Sequence, residues 1–169
     1  MVLRNFGEKK PSVSSKAYVD EAAVVIGDVR LLEGVTVWPG AILRADDDSV
    51  EIGRGSAVMD MAFAEAPRGR PIKVGEGCII SHSARLHGCT ISNSALVGIG
   101  AIVLDGASVG EGAIVGAGAL VTPGTKVPSG TVVLGSPAKI ARKATEADIA
   151  WLKKELAAVA RKVAIYLEK

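Results

Sequence analysis

Aliphatic residues recur at every sixth position over most of the chain. From Ile91 the steps are Val97, Val103, Val109, Val115, Val121, Val127 and Val133. The same step runs Ile52, Val58, Ala64, then Val74, Ile80, Leu86, and near the start Ile26, Leu32, Trp38. Glycine often follows the anchor, as at Gly53, Gly75, Gly98, Gly110 and Gly116. A small residue often stands four after it, as at Ala84, Ala95, Ala101, Ala107 and Ala113. Neither an α-helix nor an alternating hairpin sheet produces period six. A short strand plus a turn does. Three such units close one triangular coil, with aliphatic anchors inward and glycines easing the corners. The pattern therefore predicts an all-β solenoid, a parallel β-helix of hexapeptide repeats. Ala45–Glu51 and Ala66–Lys73 read as loops that interrupt the count. Leu86 to Ile91 is one residue short of the step, which predicts a shortened turn.

The repeat fades at Pro137. Thr145 then reads as an N-cap with acidic residues in the first turn, Glu146 and Asp148. Ile149, Leu152, Leu156, Val159, Val163 and Leu167 follow at helical spacing. One amphipathic helix from Thr145 to about Leu167 is expected, lying along a face of the coil. The chain divides into a β-helix over 1–138 and a linker with C-terminal helix over 139–169.

Period six also assigns side chains to columns. Ile52, Val74 and Ile91 start face one; Val58, Ile80 and Val97 face two; Ala64, Leu86 and Val103 face three. Equivalent positions on successive coils stack roughly 4.8 Å apart. Glu65 and His87 each follow a face-three anchor by one, so they stack directly. His82 and Asp60 each follow a face-two anchor by two, so Asp60 lies beneath His82. Glu65 and His87 are thus placed to share one divalent ion. His82 points elsewhere within the same chain and meets that ion only around a three-fold axis. Two histidines and a carboxylate with an open position form a catalytic zinc arrangement and also suit other transition metals. Asp60 is placed to orient His82. Solvated surface histidines and a loop-edge glutamate are the plain alternative.

Composition narrows the picture. The chain is 49% hydrophobic but only 4% aromatic, so the core is built from Val, Ile, Leu and Ala. A net charge of +2 lacks the concentrated basic face of a nucleic-acid binder. Cys78 and Cys89 form no zinc spacing and read as small buried residues. Met1 to Lys10 has no apolar signal region, and no run is long enough to span a bilayer. A cytoplasmic protein without membrane or nucleic-acid partners is expected.

The segments Ile26-Gly27-Asp28-Val29-Arg30, Val37-Trp38-Pro39, Leu43-Arg44-Ala45-Asp46, Ser81 through Cys89 with its His-x4-His-Gly spacing, Val97-Gly98-Ile99-Gly100, Val103 through Ala107 and Leu134-Gly135-Ser136-Pro137 together resemble γ-class carbonic anhydrases. The resemblance implies a left-handed coil, although parallel crossovers are normally right-handed. It also implies a homotrimer with inter-subunit metal sites, two ligands from one chain and one from its neighbour. His82 and His87 match two ligand histidines. Arg44 and Asp46 match a pair that bridges subunits, and Asp60 an acid near the site. Glu65 stands where the family's first ligand histidine belongs, Met59 where it has glutamine, and Ala57 where it has asparagine. The implied cofactor is a divalent metal, zinc first, with iron or cobalt as alternatives; the implied substrate is CO2 or bicarbonate. A carboxylate ligand leaves less positive charge on the ion than an imidazole, which raises the pKa of bound water and weakens hydration. The alternatives are an acyl-CoA thioesterase or acyltransferase with a histidine base, and a non-catalytic assembly subunit.

Overall fold

Strands mostly of two or three residues alternate with tight turns at the predicted spacing in the computed structural model, which describes residues 2–168. The expected outer boundaries at Met1 and Lys169 lie outside the described residues. All ladders between coils are parallel and join equivalent positions. On face two, Val19, Val37, Val58, Ile80, Val97, Val115 and Val133 lie in one line of register partners. On face three the line is Leu43, Ala64, Leu86, Val103 and Val121. On face one it is Ile52, Val74, Ile91, Val109 and Val127. The result is a parallel β-solenoid of about 7 turns whose core is these aliphatic columns and the alanines between them.

Two details differ from the hexad reading. In the first coils the inward residues are Val25, Leu31 and Val37, not Ile26, Leu32 and Trp38. In a strand a slip of one residue exchanges the two faces. Trp38 therefore points out of the coil, yet it is only 4% exposed because the C-terminal helix covers it. Second, Ala45–Glu51 is no loop. It lies inside one bent strand, Ile42–Ile52, which continues around the corner from face three to face one. Its partner strand, Val24–Leu31, absorbs the extra residues by a register shift between Gly27 and Val29. Gly27, at φ +77°, lies so close to the Ala45 carbonyl that a Cβ would not fit.

The segment expected as a linker also has structure: Lys139–Lys143 pairs antiparallel with Thr131–Leu134 and closes the last coil. The helix Glu146–Leu167 follows, capped as expected by Thr145. The Thr145 hydroxyl accepts from the Asp148 backbone N–H, and the Asp148 carboxylate accepts from the Thr145 N–H at 2.7 Å. Leu152 and Val159 are buried; Leu156, Val159 and Val163 pack with Trp38, Ala57 and Met59 on face two. The ends of the apolar stripe, Ile149 and Leu167, stay exposed. Among the described residues no helix is long and apolar enough to cross a membrane.

Candidate metal centre

Face three presents a column of three chemically active side chains. Arg44 is the register partner of Glu65, and Glu65 of His87. The corner between faces two and three carries a second column, in which the Ser83 N–H donates to the Asp60 carbonyl and the Gly100 N–H to that of His82. The two histidines thus stand on separate columns of one chain, and Asp60 is directly under His82.

Each imidazole meets a carboxylate through Nδ1. His82 Nδ1 lies 2.9 Å from Asp60 Oδ2, and His87 Nδ1 lies 2.6 Å from Asp105 Oδ1. An ionised carboxylate only accepts, so these contacts assign the proton to Nδ1 and leave the Nε2 lone pair open. Carboxylate-backed imidazoles of this kind are the usual form of metal-ligating histidine. Both rings are partly solvent-exposed.

Asp105 was absent from the sequence-derived set. The shortened turn makes its contact possible. The strand after Leu86 resumes at Thr90, register partner of Ser108, whereas the next coil spends one residue more between Val103 and Ser108. Gly88 alone fills the corner beneath Asp105, at φ +53°. A Cβ on Gly88 would stand 2.6 Å from Asp105 Oδ1 and 2.9 Å from Arg70 Cβ. Arg70, from the loop after Glu65, lies over the corners at Gly88 and Gly106. The five-residue step from Leu86 to Ile91 was the signal that something reaches over this corner.

Glu65 is engaged differently. Arg44 Nη1 lies 3.3 Å from Glu65 Oε1, while Arg44 Nε donates to Asp46 Oδ2 at 2.7 Å. Arg44 and Asp46 thus pair with each other within one chain. The guanidinium hydrogen bond holds the Asp46 carboxyl below its ordinary range. Lys9 fixes the same segment, its ammonium donating to the Asp46 and Asp47 carbonyls at 2.7 and 2.8 Å.

The donor chemistry fits a divalent ion at both histidines, whose Nε2 atoms are free of protein partners in the contacts described. Glu65 fits by position but is shared with Arg44. Within one chain, among the described residues, no group of three His, Cys, Asp or Glu side chains converges to hold an ion. The cysteines add nothing: burial pushes the Cys89 thiol up to about 12, and Cys78 is raised for the same reason.

A cleft of about 330 Å³ opens between the helix and face two. Its walls are mostly apolar, including Met59, Ile99, Trp151 and Val159, with His82 among its lining residues.

No protein-family model matches the chain. The chain is 36% identical to a carbonic anhydrase of Geobacillus kaustophilus over 141 residues, which is 83% of this chain and 78% of the relative. It is 38% identical over 156 residues to gamma carbonic anhydrase 1, mitochondrial, of Arabidopsis thaliana, covering 89% of this chain but 57% of that longer protein. Among solved structures, a hexapeptide transferase family protein from Anaplasma phagocytophilum superposes with a TM-score of 0.90 at 37% identity, covering 95% of this chain and 97% of that one. Identity at this level, over most of a coil whose columns carry the histidines at the expected register, settles the family: this chain belongs to the γ-class carbonic anhydrases.

Proposed function

We propose that the chain works in the cytoplasm as a homotrimer in which Glu65 and His87, with His82 of the partner subunit, hold a divalent ion, and that its hydration of CO2 is slow. The observation that carries this reading is the pair of carboxylate-backed imidazoles, Asp60–His82 and Asp105–His87, each with Nε2 open. The separation of the histidines onto two columns favours a site completed across subunits. A divalent ion held there supplies Lewis acidity and a lowered pKa for water. Asp60 and Asp105 fix the ring orientation and tautomer. Glu65 brings a negative charge that reduces that acidity, and Met59 offers no proton donor or acceptor to a reacting water. Zinc is the first candidate, with iron or cobalt as alternatives.

The test is metal content and sedimentation of purified protein, followed by stopped-flow CO2 hydration after loading with Zn, Fe or Co. One ion per subunit in a trimer, with slow turnover, is expected. Absence of metal under every loading overturns the site. Rapid hydration overturns the reasoning on Glu65 and Met59.

A second reading rests on the cleft. An Asp–His dyad beside an apolar cleft suits general-base attack on an acyl thioester, and the Anaplasma neighbour belongs to a transferase family. Thiol release from a panel of acyl-CoAs, lost in His82→Ala and retained after metal stripping, would favour it over the first.

A further inference from the structure

Glu65 has two claimants in one column. His87 follows it on one side and Arg44 precedes it on the other. Neighbours in such a column are separated by roughly one strand spacing, 4.8 Å, and of the two Arg44 contacts the Glu65 carboxylate directly. Arg44 is anchored elsewhere: its Nε to Asp46 contact, at 2.7 Å, is much the shorter, and its Nη1 to Glu65 contact is 3.3 Å. One guanidinium therefore serves two carboxylates, and its hold on Glu65 is the weaker. Both partners are partly solvated, with 43% of the Arg44 side chain and 24% of the Glu65 side chain exposed. An ion pair of that kind is weak enough to be exchanged.

The exchange has a direction. Arg44 and Glu65 cancel, leaving Asp46 as the uncompensated charge of the three. A divalent ion that takes Glu65 as a ligand removes the anion from Arg44 and also stands near a cation. Competition and repulsion both oppose binding. A histidine at position 65 would escape the competition, since a neutral imidazole gives Arg44 nothing to pair with, and only the repulsion would remain.

We infer that Arg44 competes with the metal ion for Glu65, so that the Arg44–Glu65 pair sets how tightly this centre holds its ion. The inference rests on the metal reading above. Asp46 acts as the counterweight: by holding Arg44 through Nε it keeps the guanidinium from committing fully to Glu65. Arg44 and Asp46 are positioning residues here, acting through Glu65.

The experiment measures Co(II) affinity from its visible absorption and Zn(II) affinity by chelator competition, at fixed ionic strength, with assembly followed by sedimentation. R44M, which keeps the apolar stem and removes the charge, should bind about two- to fivefold tighter, given the size of exposed ion pairs. D46N should bind several-fold more weakly, because Arg44 then turns to Glu65. In an E65Q background the effect of R44M should shrink to the part that repulsion contributes, and the difference isolates the pair. A readout that needs no variant is the 15N spectrum of the Arg44 guanidinium, which should shift when Zn(II) is added to the wild-type protein.

Affinity of a trimeric R44M within twofold of wild type would overturn the competition. So would an R44M effect of undiminished size in E65Q, or Arg44 resonances that stay fixed on metal addition. If R44M does not assemble, D46N and the guanidinium spectrum decide. Metal binding that ignores Arg44 sinks this inference alone; failure of wild type and every variant to bind either ion sinks the metal reading with it.

Discussion

Gly88→Ala tests whether the corner beneath Asp105 holds His87 in place. Gly88 sits at φ +53°, where an L side chain costs about 1–2 kcal/mol. Alanine also restricts the unfolded chain, which returns about 0.4–1 kcal/mol. Backbone strain alone then leaves a loss of about 1 kcal/mol. The added methyl has two neighbours, and they respond unequally. Asp105 Oδ1, 2.6 Å away, is the tip of a side chain and swings aside, giving up its contact with His87 Nδ1. Arg70 Cβ, 2.9 Å away, is one bond from the backbone and yields only if the loop after Glu65 shifts. That crowding adds about 1–3 kcal/mol. The control is Gly112→Ala, at φ +62° with nothing within 4 Å of an added Cβ. Urea midpoints at one protein concentration should place Gly112→Ala about 1 kcal/mol below wild type and Gly88→Ala about 2–4 kcal/mol below. Loss of the carboxylate behind His87 should also weaken metal binding by roughly 10–100-fold. His87 tautomer populations from 15N chemical shifts report the Asp105 contact directly. Equal stability losses for the two alanines, with His87 still protonated on Nδ1, would refute the reasoning.

Other consequences are measurable on the apo protein. Thr145→Ala removes the helix cap and should cost about 1 kcal/mol, with faster amide exchange in the first helical turn. The Arg142 and Thr145 hydrogen bonds hold the Asp148 carboxyl well below its ordinary 3.8. A depressed folded value means that this contribution is complete above the unfolded pKa and is lost as pH falls below about 3.8 toward the folded one. Protection of amides at that turn, relative to their intrinsic exchange rates, should therefore fall under acid, and Asp148→Asn should abolish that pH dependence; unchanged protection in acid would count against the pairing. Met61 occupies a left-handed corner at φ 59° and is 65% exposed. Met61→Asn should raise stability by up to about 1 kcal/mol, and a clear loss would show that the thioether packing over Gly40 outweighs the strain. Leu86→Ala, in a residue only 1% exposed, should cost about 2–5 kcal/mol by calorimetry or urea titration.

The columns were legible because a strand-and-turn coil of fixed length turns sequence separation into spatial stacking. That arithmetic places Glu65 against His87 and Asp60 under His82 without any knowledge of side-chain conformation. It fails where the coil length changes. In the first coils the phase is off by one, because Ile26, Leu32 and Trp38 are as apolar as the inward Val25, Leu31 and Val37. Hydropathy cannot tell a core column from one that a helix will cover. At Ala45–Glu51 the count saw an interruption, but an interruption in period does not distinguish a loop from a strand that bends around a corner with a bulge. The contacts of Arg44 with Glu65 and of Asp105 with His87 were hidden for a different reason. Both depend on where a side chain turns once its backbone position is set, and column membership carries no such information.

The C-terminal helix bears on how the molecule unfolds. Stacked repeats touch only their neighbours, so such arrays tend to fray from their ends, one rung at a time. Here the helix starts beside the last coil, where Arg142 of the closing strand grips Asp148 at 2.6 and 3.0 Å. It finishes beside the first coils, where Tyr166 lies edge-on to Tyr18 and Trp38 at centroid distances of 6.2 and 5.4 Å. Its 22 residues reach about 33 Å, close to the height of seven coils. The two ends of a one-dimensional stack are thus tied by a single rigid strut. Peeling either end requires detaching the strut, which exposes the middle of the stack as well, so the ladder melts as one unit instead of unzipping.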